Sequence, residues 1–482
     1  MPPSPTTARI ACASPPFVEQ ATATELDDWL AYFEPDLVVL TGESASPRAA
    51  SVLRRHVGPK TAFFQPTGNA PTSGPRTING VQFVFAPTTG ALSEIAEHER
   101  DELATDVPTY VLSGLLGLEV DTTTLSTSLA GREEYRRRLE PERLAGEYVH
   151  VSTRLPAEYR RDWGDLAVVG GGAEAGSADT PLVTLDCRTD GRVLARTLQP
   201  TRLGLRALDG VGRTRARRLQ EAGFADREDV AGADSSALAE VQGLGRTTAE
   251  RIQRSARAVA HGEVVRESDQ PLPRGDPVYI DIETDGLTPT ITWLIGVLDG
   301  ASGGGEYRSF LQTDPDEPGR AIEEFMAWYT TTASHRPIVA YNGWNFDFNV
   351  LHDHVIEHCP HYEDEWTGTY RFDPYRWAVN EGNAVLPGRT NTLEDVAAAL
   401  GYERTETGLT GAAVARAYQG WMADRSPATE PDWERFDAYC EDDVRALAAV
   451  YEAIEASGRI VSTDEPSRDV RETTTQGSLS DW

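Results

Sequence analysis

Lysine is almost missing from this chain. Of its 45 basic residues only Lys60 is lysine, and they face 76 acidic residues, for a formal charge of −31. Excess carboxylate binds water and hydrated cations, which points to a cytosol of molar salt. At about 1 M salt charges are screened within roughly 3 Å, so the acidity does not exclude a polyanionic partner. Cysteine is also scarce. Cys12, Cys187, Cys359 and Cys440 show no paired spacing, which excludes a CxxC zinc ribbon and fits a reducing compartment. No apolar run approaches about 18 residues, so no membrane span is expected. No basic segment followed by an apolar run opens the chain, so no signal peptide is expected and the location is read as cytoplasmic. No GxxxxGK[ST] occurs, which argues against an ATP-driven motor.

What is present divides the 482 residues into several units. A chain of this length exceeds one ordinary core. Residues 1–198 read as an α/β domain of unassigned role. ARIACAS, DLVVLTG, TAFFQP and VQFVFAP are short buried strands, expected in one small parallel layer, with helices at TATELDDWLAYF and SPRAASVLRRH. Residues 91–165 read as mostly helical and charged. VTLDCRTDGRVLARTL reads as a hairpin turning at Asp190-Gly191. Residues 261–276, polar and proline-containing, read as a linker, and 460–482 as a disordered tail.

Residues 199–260 hold an internal repeat. LDGVGRTRARRL (208–219) aligns with VQGLGRTTAERI (241–252) at a spacing of 33. Gly210 and Gly212, then Gly243 and Gly245, allow a tight turn whose N–H groups approach a phosphate without Cβ obstruction. The helix that follows points its positive dipole end at the same place. Residues 201–258 carry 11 arginines and 8 acids, a basic island in an acidic protein. Arg213, Arg215 and Arg246 follow the turns and are candidate phosphate contacts.

Carboxylates in three separated apolar contexts carry the chemistry. Asp281 and Glu283 lie two apart in VYIDIETDGL, a strand pattern that points both to one face. Asp347 follows the strand PIVAYN and opens the next helix. Tyr439 and Asp443 are i and i+4 on a helix whose apolar stripe includes Phe436, Cys440, Val444 and Leu447. Asp442 also roughly faces Tyr439; the tyrosine spacing selects Asp443. Converging carboxylates repel one another, and hard divalent cations, Mg²⁺ or Mn²⁺, relieve that repulsion. The nearby His354 and His358 are also i and i+4, a zinc-ligand spacing, but read better as an exposed helix face.

The order D-x-E, N-x4-D (Asn342 to Asp347) and Y-x3-D resembles the three motifs of the DEDD 3′–5′ exonuclease superfamily. Ala438 stands where the other subclass carries histidine, so the resemblance is to the tyrosine subclass. Within that group the chain resembles the proofreading domains of family B polymerases and the YprB-type exonucleases, and IDIETDGL with ITWLIGVLDG is especially similar to the latter. TNTLEDVAAALGY (390–402) and RFDPYRWA (371–378) extend the match over about 180 residues. The resemblance implies an RNase H-like domain with a mixed sheet over 277–459. It implies two divalent cations on Asp281, Glu283, Asp347 and Asp443, a water oriented by Tyr439, and a 3′-terminal nucleotide held by Asn342 and Trp344. The glycine repeat resembles a tandem helix-hairpin-helix, a small all-α binder of DNA backbones. The expected fold class is thus multidomain α/β, with these three units in order. The expected activity is 3′–5′ exonucleolysis of DNA, or RNA, in repair or processing. The alternatives are a structure-specific endonuclease on the same site and a non-catalytic DNA-binding scaffold.

Overall fold

The computed structural model describes residues 6–457, apart from 43–45, 66–74, 100–102, 105, 125, 140–145, 158, 164–165, 173–179 and 406. The tail read as disordered lies outside the described residues. None of the described helices is long and apolar enough to cross a membrane.

The N-terminal part holds two larger sheets rather than one. The first runs Val193–Leu198, Leu182–Arg188, Thr7–Ala13, Leu37–Leu40, Ala62–Phe64. Its last three strands are parallel, and the Leu182–Leu198 hairpin joins antiparallel to Thr7–Ala13. Val81–Ala86, expected in the same layer, belongs instead to a six-stranded sheet with Thr109–Ser113, Tyr148–Ser152 and Leu166–Gly170 among its members. The two sheets share a core of Ile10, Val39 and Phe64 against Phe83, Phe85 and Tyr110. Helices cover the outer faces, with Trp29 and Phe33 on one and Tyr135 on the other. The reading of 91–165 as mostly helical is therefore corrected. TYVLS and YVHVS are nearly fully buried on both faces, so they show no alternation, and only short segments around them such as Arg132–Leu139 are helical.

The glycine repeat folds as four helices, Arg213–Glu221, Arg227–Gly232, Ser235–Ala239 and Arg246–His261. Equivalent positions of the repeat meet in one core: Leu208 with Val241, Val211 with Leu244, Leu219 with Ile252. The segment read as a linker is partly ordered structure. Val265–Arg266 pairs antiparallel with Ala384–Val385 of the following domain.

The C-terminal sheet has the order Glu306–Leu311, Thr292–Asp299, Val278–Thr284, Ile338–Val339, Arg371–Phe372. The first three strands are antiparallel and the last two join in parallel, a mixed sheet. Phe325, Met326, Phe348 and Leu351 pack on one face, and Val396, Val444, Leu447 and Tyr451 on the other.

One half-buried carboxylate ties the three units together. Asp28 accepts the Gly204 N–H at 2.8 Å, Arg227 Nη2 at 2.7 Å and both terminal nitrogens of Arg389 at 2.6 Å. Burial alone would raise its pKa; the two guanidiniums and the N–H more than offset that and hold it below the ordinary value. Beside it the Tyr32 hydroxyl donates to Asp395 at 2.7 Å.

Candidate metal centre and nucleic-acid interface

The site begins at the central strand. Ile280 and Ile282 enter the core on one face, so Asp281 and Glu283 project from the other. The Trp433–Ala456 helix crosses that face, and a glycine lets it come close. Gly296 lies opposite Asp281 in the neighbouring strand, and a Cβ there would stand 2.4 Å from Cys440 Sγ. The thiol donates toward Asp281 Oδ2 at 3.7 Å. Potential ligand atoms of Asp281, Glu283 and Cys440 all lie within 4.8 Å of one another.

Asp347 is the first residue of the Asp347–His358 helix and is 7% exposed. Asp443 sits one helical turn after Tyr439, 8% exposed. These groups feel one another strongly. Burial raises Asp281 far above the carboxylate range, with Asp443, Glu283 and Asp347 adding to it. Burial raises Glu283 likewise, helped by Asp443 and Asp347. Burial brings Asp347 up to about 7, against its backbone N–H bonds and with help from Asp373. Asp443 is pushed up to about 6, again by burial, with Arg404 opposing. Four mutually repelling carboxylates, three of them buried and Asp281 half-buried, are short of positive charge, and their hard oxygens are the donor set that Mg²⁺ or Mn²⁺ takes. Tyr439 stands among them; burial, then Asp443, Glu283 and Asp281, keep its phenol protonated.

Asp442 has a different task. It accepts Arg404 Nε at 2.6 Å, the Thr405 N–H at 3.0 Å and the Tyr402 hydroxyl at 3.2 Å. It anchors the segment after the Leu393–Ala399 helix, while Asp443 faces the other carboxylates.

Asn342 and Trp344 lie on the turn before Asp347. Asn342 adopts φ 58°, the left-handed region that asparagine tolerates. Its N–H and that of Trp344 donate to the buried Asp373 at 2.9 and 3.3 Å. Trp344 packs edge-on to Phe348 at 5.2 Å, and the guanidiniums of Arg371 and Arg376 lie 5.2 and 5.7 Å from its ring. His354 Nδ1 is hydrogen-bonded to the Thr292 hydroxyl at 2.9 Å, and among the described residues no group of potential ligands gathers around the histidines.

The hairpins lie as the repeat predicts. Gly210 and Gly243 have φ of 75° and 85°, and Gly212 and Gly245 start the two helices with no side-chain cap. Each hairpin is braced by an arginine from the other half. Arg218 donates to the Gln242 carbonyl at 2.9 Å, and Arg251 pairs with Asp209 at 3.4 Å. Residues 209 and 242, like 218 and 251, are 33 apart, so the brace is reciprocal. Arg215, read as a phosphate contact, donates to its own hairpin at the Gly210 carbonyl, 2.5 Å away. Arg213 and Arg246 are exposed, and Arg246 lies 3.8 Å from Glu250. The first hairpin also lines a cleft of about 820 Å³ whose far wall is Val385, Leu386, Arg389 and Asn391. The Asn391 carbonyl accepts the Tyr341 hydroxyl at 2.8 Å, next to Asn342.

Arg404, Asp373, Cys440 and Gly296 were not singled out from the sequence for this site. Asp373 had a signal, since it lies within the RFDPYRWA segment. Arg404 had none in a chain whose basic residues are nearly all arginine.

Two parts of the chain match known families. Residues 278–455 match the RNase_H superfamily, and residues 203–258 match the SAM-like helix-hairpin-helix tandem. The protein therefore joins an RNase H-like domain to a tandem helix-hairpin-helix domain. Among solved structures it is similar to E. coli exonuclease I in a zinc-bound complex with single-stranded DNA. That match has 18% identity and a TM-score of 0.22, over 32% of this chain and 42% of the other. The apo form of exonuclease I matches at 18% and 0.21, over 34% and 44%. The chain spans less than half the length of these structures. No curated protein matches it.

Proposed function

We propose that the protein is a metal-dependent 3′–5′ exonuclease acting on DNA. The observation that carries the reading is the convergence of Asp281, Glu283, Asp347 and Asp443 beside Tyr439, on an RNase H-like sheet. Asp281, Glu283, Asp347 and Asp443 would hold two divalent cations. Bound there, such ions supply Lewis-acid activation of water and stabilise the leaving 3′ oxygen. The Tyr439 phenol, kept protonated, donates its O–H toward the attacking water and sets its direction. Asn342 and Trp344, fixed by Asp373, hold the terminal nucleotide. The helix-hairpin-helix pair grips backbone phosphates of an adjoining duplex, and the cleft beside Gly210 and Gly212 supports a path between the two domains. In molar salt phosphate contacts weaken through counterion release, so stacking and backbone N–H bonds contribute more of the affinity.

The test is a nuclease assay in molar KCl with Mn²⁺, on end-labelled single-stranded, duplex and flapped DNA beside RNA. Asp281→Ala and Asp347→Ala are expected to abolish release of 3′ nucleotides, by at least about a thousandfold, while duplex binding persists. Retained cleavage in either variant removes the assignment. Cutting of a circular or 3′-blocked substrate transfers the reading to an endonuclease.

A further inference from the structure

We propose that Arg404 is the site's own counter-cation, and that a divalent ion must displace it from Asp443 to load. The inference rests on the reading of the carboxylates as a metal site. Arg404 sits between the Leu393–Ala399 and Gly411–Ala423 helices, with its side chain 21% exposed. Among the described residues it is the one arginine in ion-pair contact with any of the four carboxylates. Its guanidinium is divided. Nε bonds Asp442 at 2.6 Å, and Nη2 bonds Asp443. Nη1 lies 3.8 Å from Glu394, and the group as a whole lies 5.9 Å from the centre of the Tyr439 ring.

The division matters because the two aspartates differ. Asp442 accepts hydrogen bonds from Arg404, Thr405 and Tyr402. Asp443 points into the cluster and offers the oxygens that a cation would take. Arg404 thus has one prong on a permanent anchor and one on a metal ligand. A cation that takes Asp443 has to break only the second prong, and Asp442 keeps the guanidinium beside the site. Arg404 is a positioning residue here. It neutralises Asp443 when no ion is bound and sets the threshold for loading.

Mn²⁺ titration of the substrate-free protein by calorimetry, in molar KCl, tests this. Arg404→Gln removes the competitor and is expected to bind Mn²⁺ roughly tenfold more tightly than wild type. Asp442→Asn removes the anchor, turns Arg404 more fully onto Asp443, and is expected to bind Mn²⁺ several-fold more weakly. A merely structural role predicts weaker binding in both variants, because both disturb the same segment. Arg404→Lys keeps the charge without the two-pronged geometry and is expected to fall between wild type and Arg404→Gln. Arg404→Lys carries the test if Arg404→Gln does not fold, since it is expected to bind Mn²⁺ more tightly than wild type and a merely structural role predicts weaker binding. Wild type that binds Mn²⁺ while Arg404→Gln binds equally or more weakly overturns this inference alone. Wild type that takes up no Mn²⁺ overturns both it and the metal-site reading.

Discussion

Raising the pH of the metal-free protein should destabilise its C-terminal domain, and Mn²⁺ should reverse the loss. Asp347 and Asp443 are pushed from an ordinary 3.8 up to about 7 and about 6, and Asp281 and Glu283 are also raised. In the unfolded chain these groups ionise near their ordinary values. Between those values and the folded ones the folded state holds more protons, so stability falls as pH rises through that window. For Asp347 the whole interval is worth about 4 kcal/mol, of which about 2 kcal/mol lies above about pH 5.5. The four groups share one field, so their contributions do not add. For a domain of this size about 2 kcal/mol corresponds to roughly 4–8 °C in melting temperature. The assay is thermal unfolding in molar KCl at about pH 5.5 and about pH 8, each with EDTA or excess Mn²⁺. The metal-free melting temperature is expected to drop by that amount, and the Mn²⁺ shift to be small at the lower pH and large at the higher. Asp347→Asn should flatten the metal-free slope and melt higher than wild type at the upper pH. A flat or rising metal-free profile, with a Mn²⁺ shift independent of pH, would refute the electrostatic account of the site.

Two further perturbations address the frame that holds the carboxylates. Asp28→Ala leaves Arg227 and Arg389 at the domain junction without a carboxylate, and should cost about 3–5 kcal/mol in chemical denaturation; a loss below about 1 kcal/mol would show that the junction is not held this way. Gly296→Ala puts a methyl group against Cys440 and should cost about 1–3 kcal/mol and weaken Mn²⁺ binding, because the helix carrying Tyr439 and Asp443 must retreat. The double variant Gly296→Ala/Cys440→Ala should recover much of both losses, and failure to do so would mean that the close approach is not what positions the helix.

Much of the site was legible because its geometry is local. A strand has period two, so D-x-E alone puts Asp281 and Glu283 on one face. A helix has period 3.6, so Tyr439 and Asp443 align whatever the rest of the chain does. The hairpins were legible for the same reason, since the glycines and the apolar positions recur at one spacing and pack as equivalent pairs. The N-terminal domain was less legible. Strands such as Leu37–Leu40, Val81–Ala86 and Thr109–Ser113 are short and buried on both faces, so they show no alternation, and nothing local tells which of two sheets Val81–Ala86 will join.

By itself, then, the order of residues determined which side chains share a face, where the glycine turns fall, and that the charges could not stand together unneutralised. Only the tertiary structure showed that Tyr402 and Thr405 hold Asp442 while Arg404 spans Asp442 and Asp443. It alone showed that Asp373 ties down the turn bearing Asn342 and Trp344, and that the bare Cα of Gly296 admits the Cys440 sulfur. These contacts join residues about 30 to about 145 positions apart. Their strength lies in desolvation and close approach, which exist only once the chain has closed upon itself.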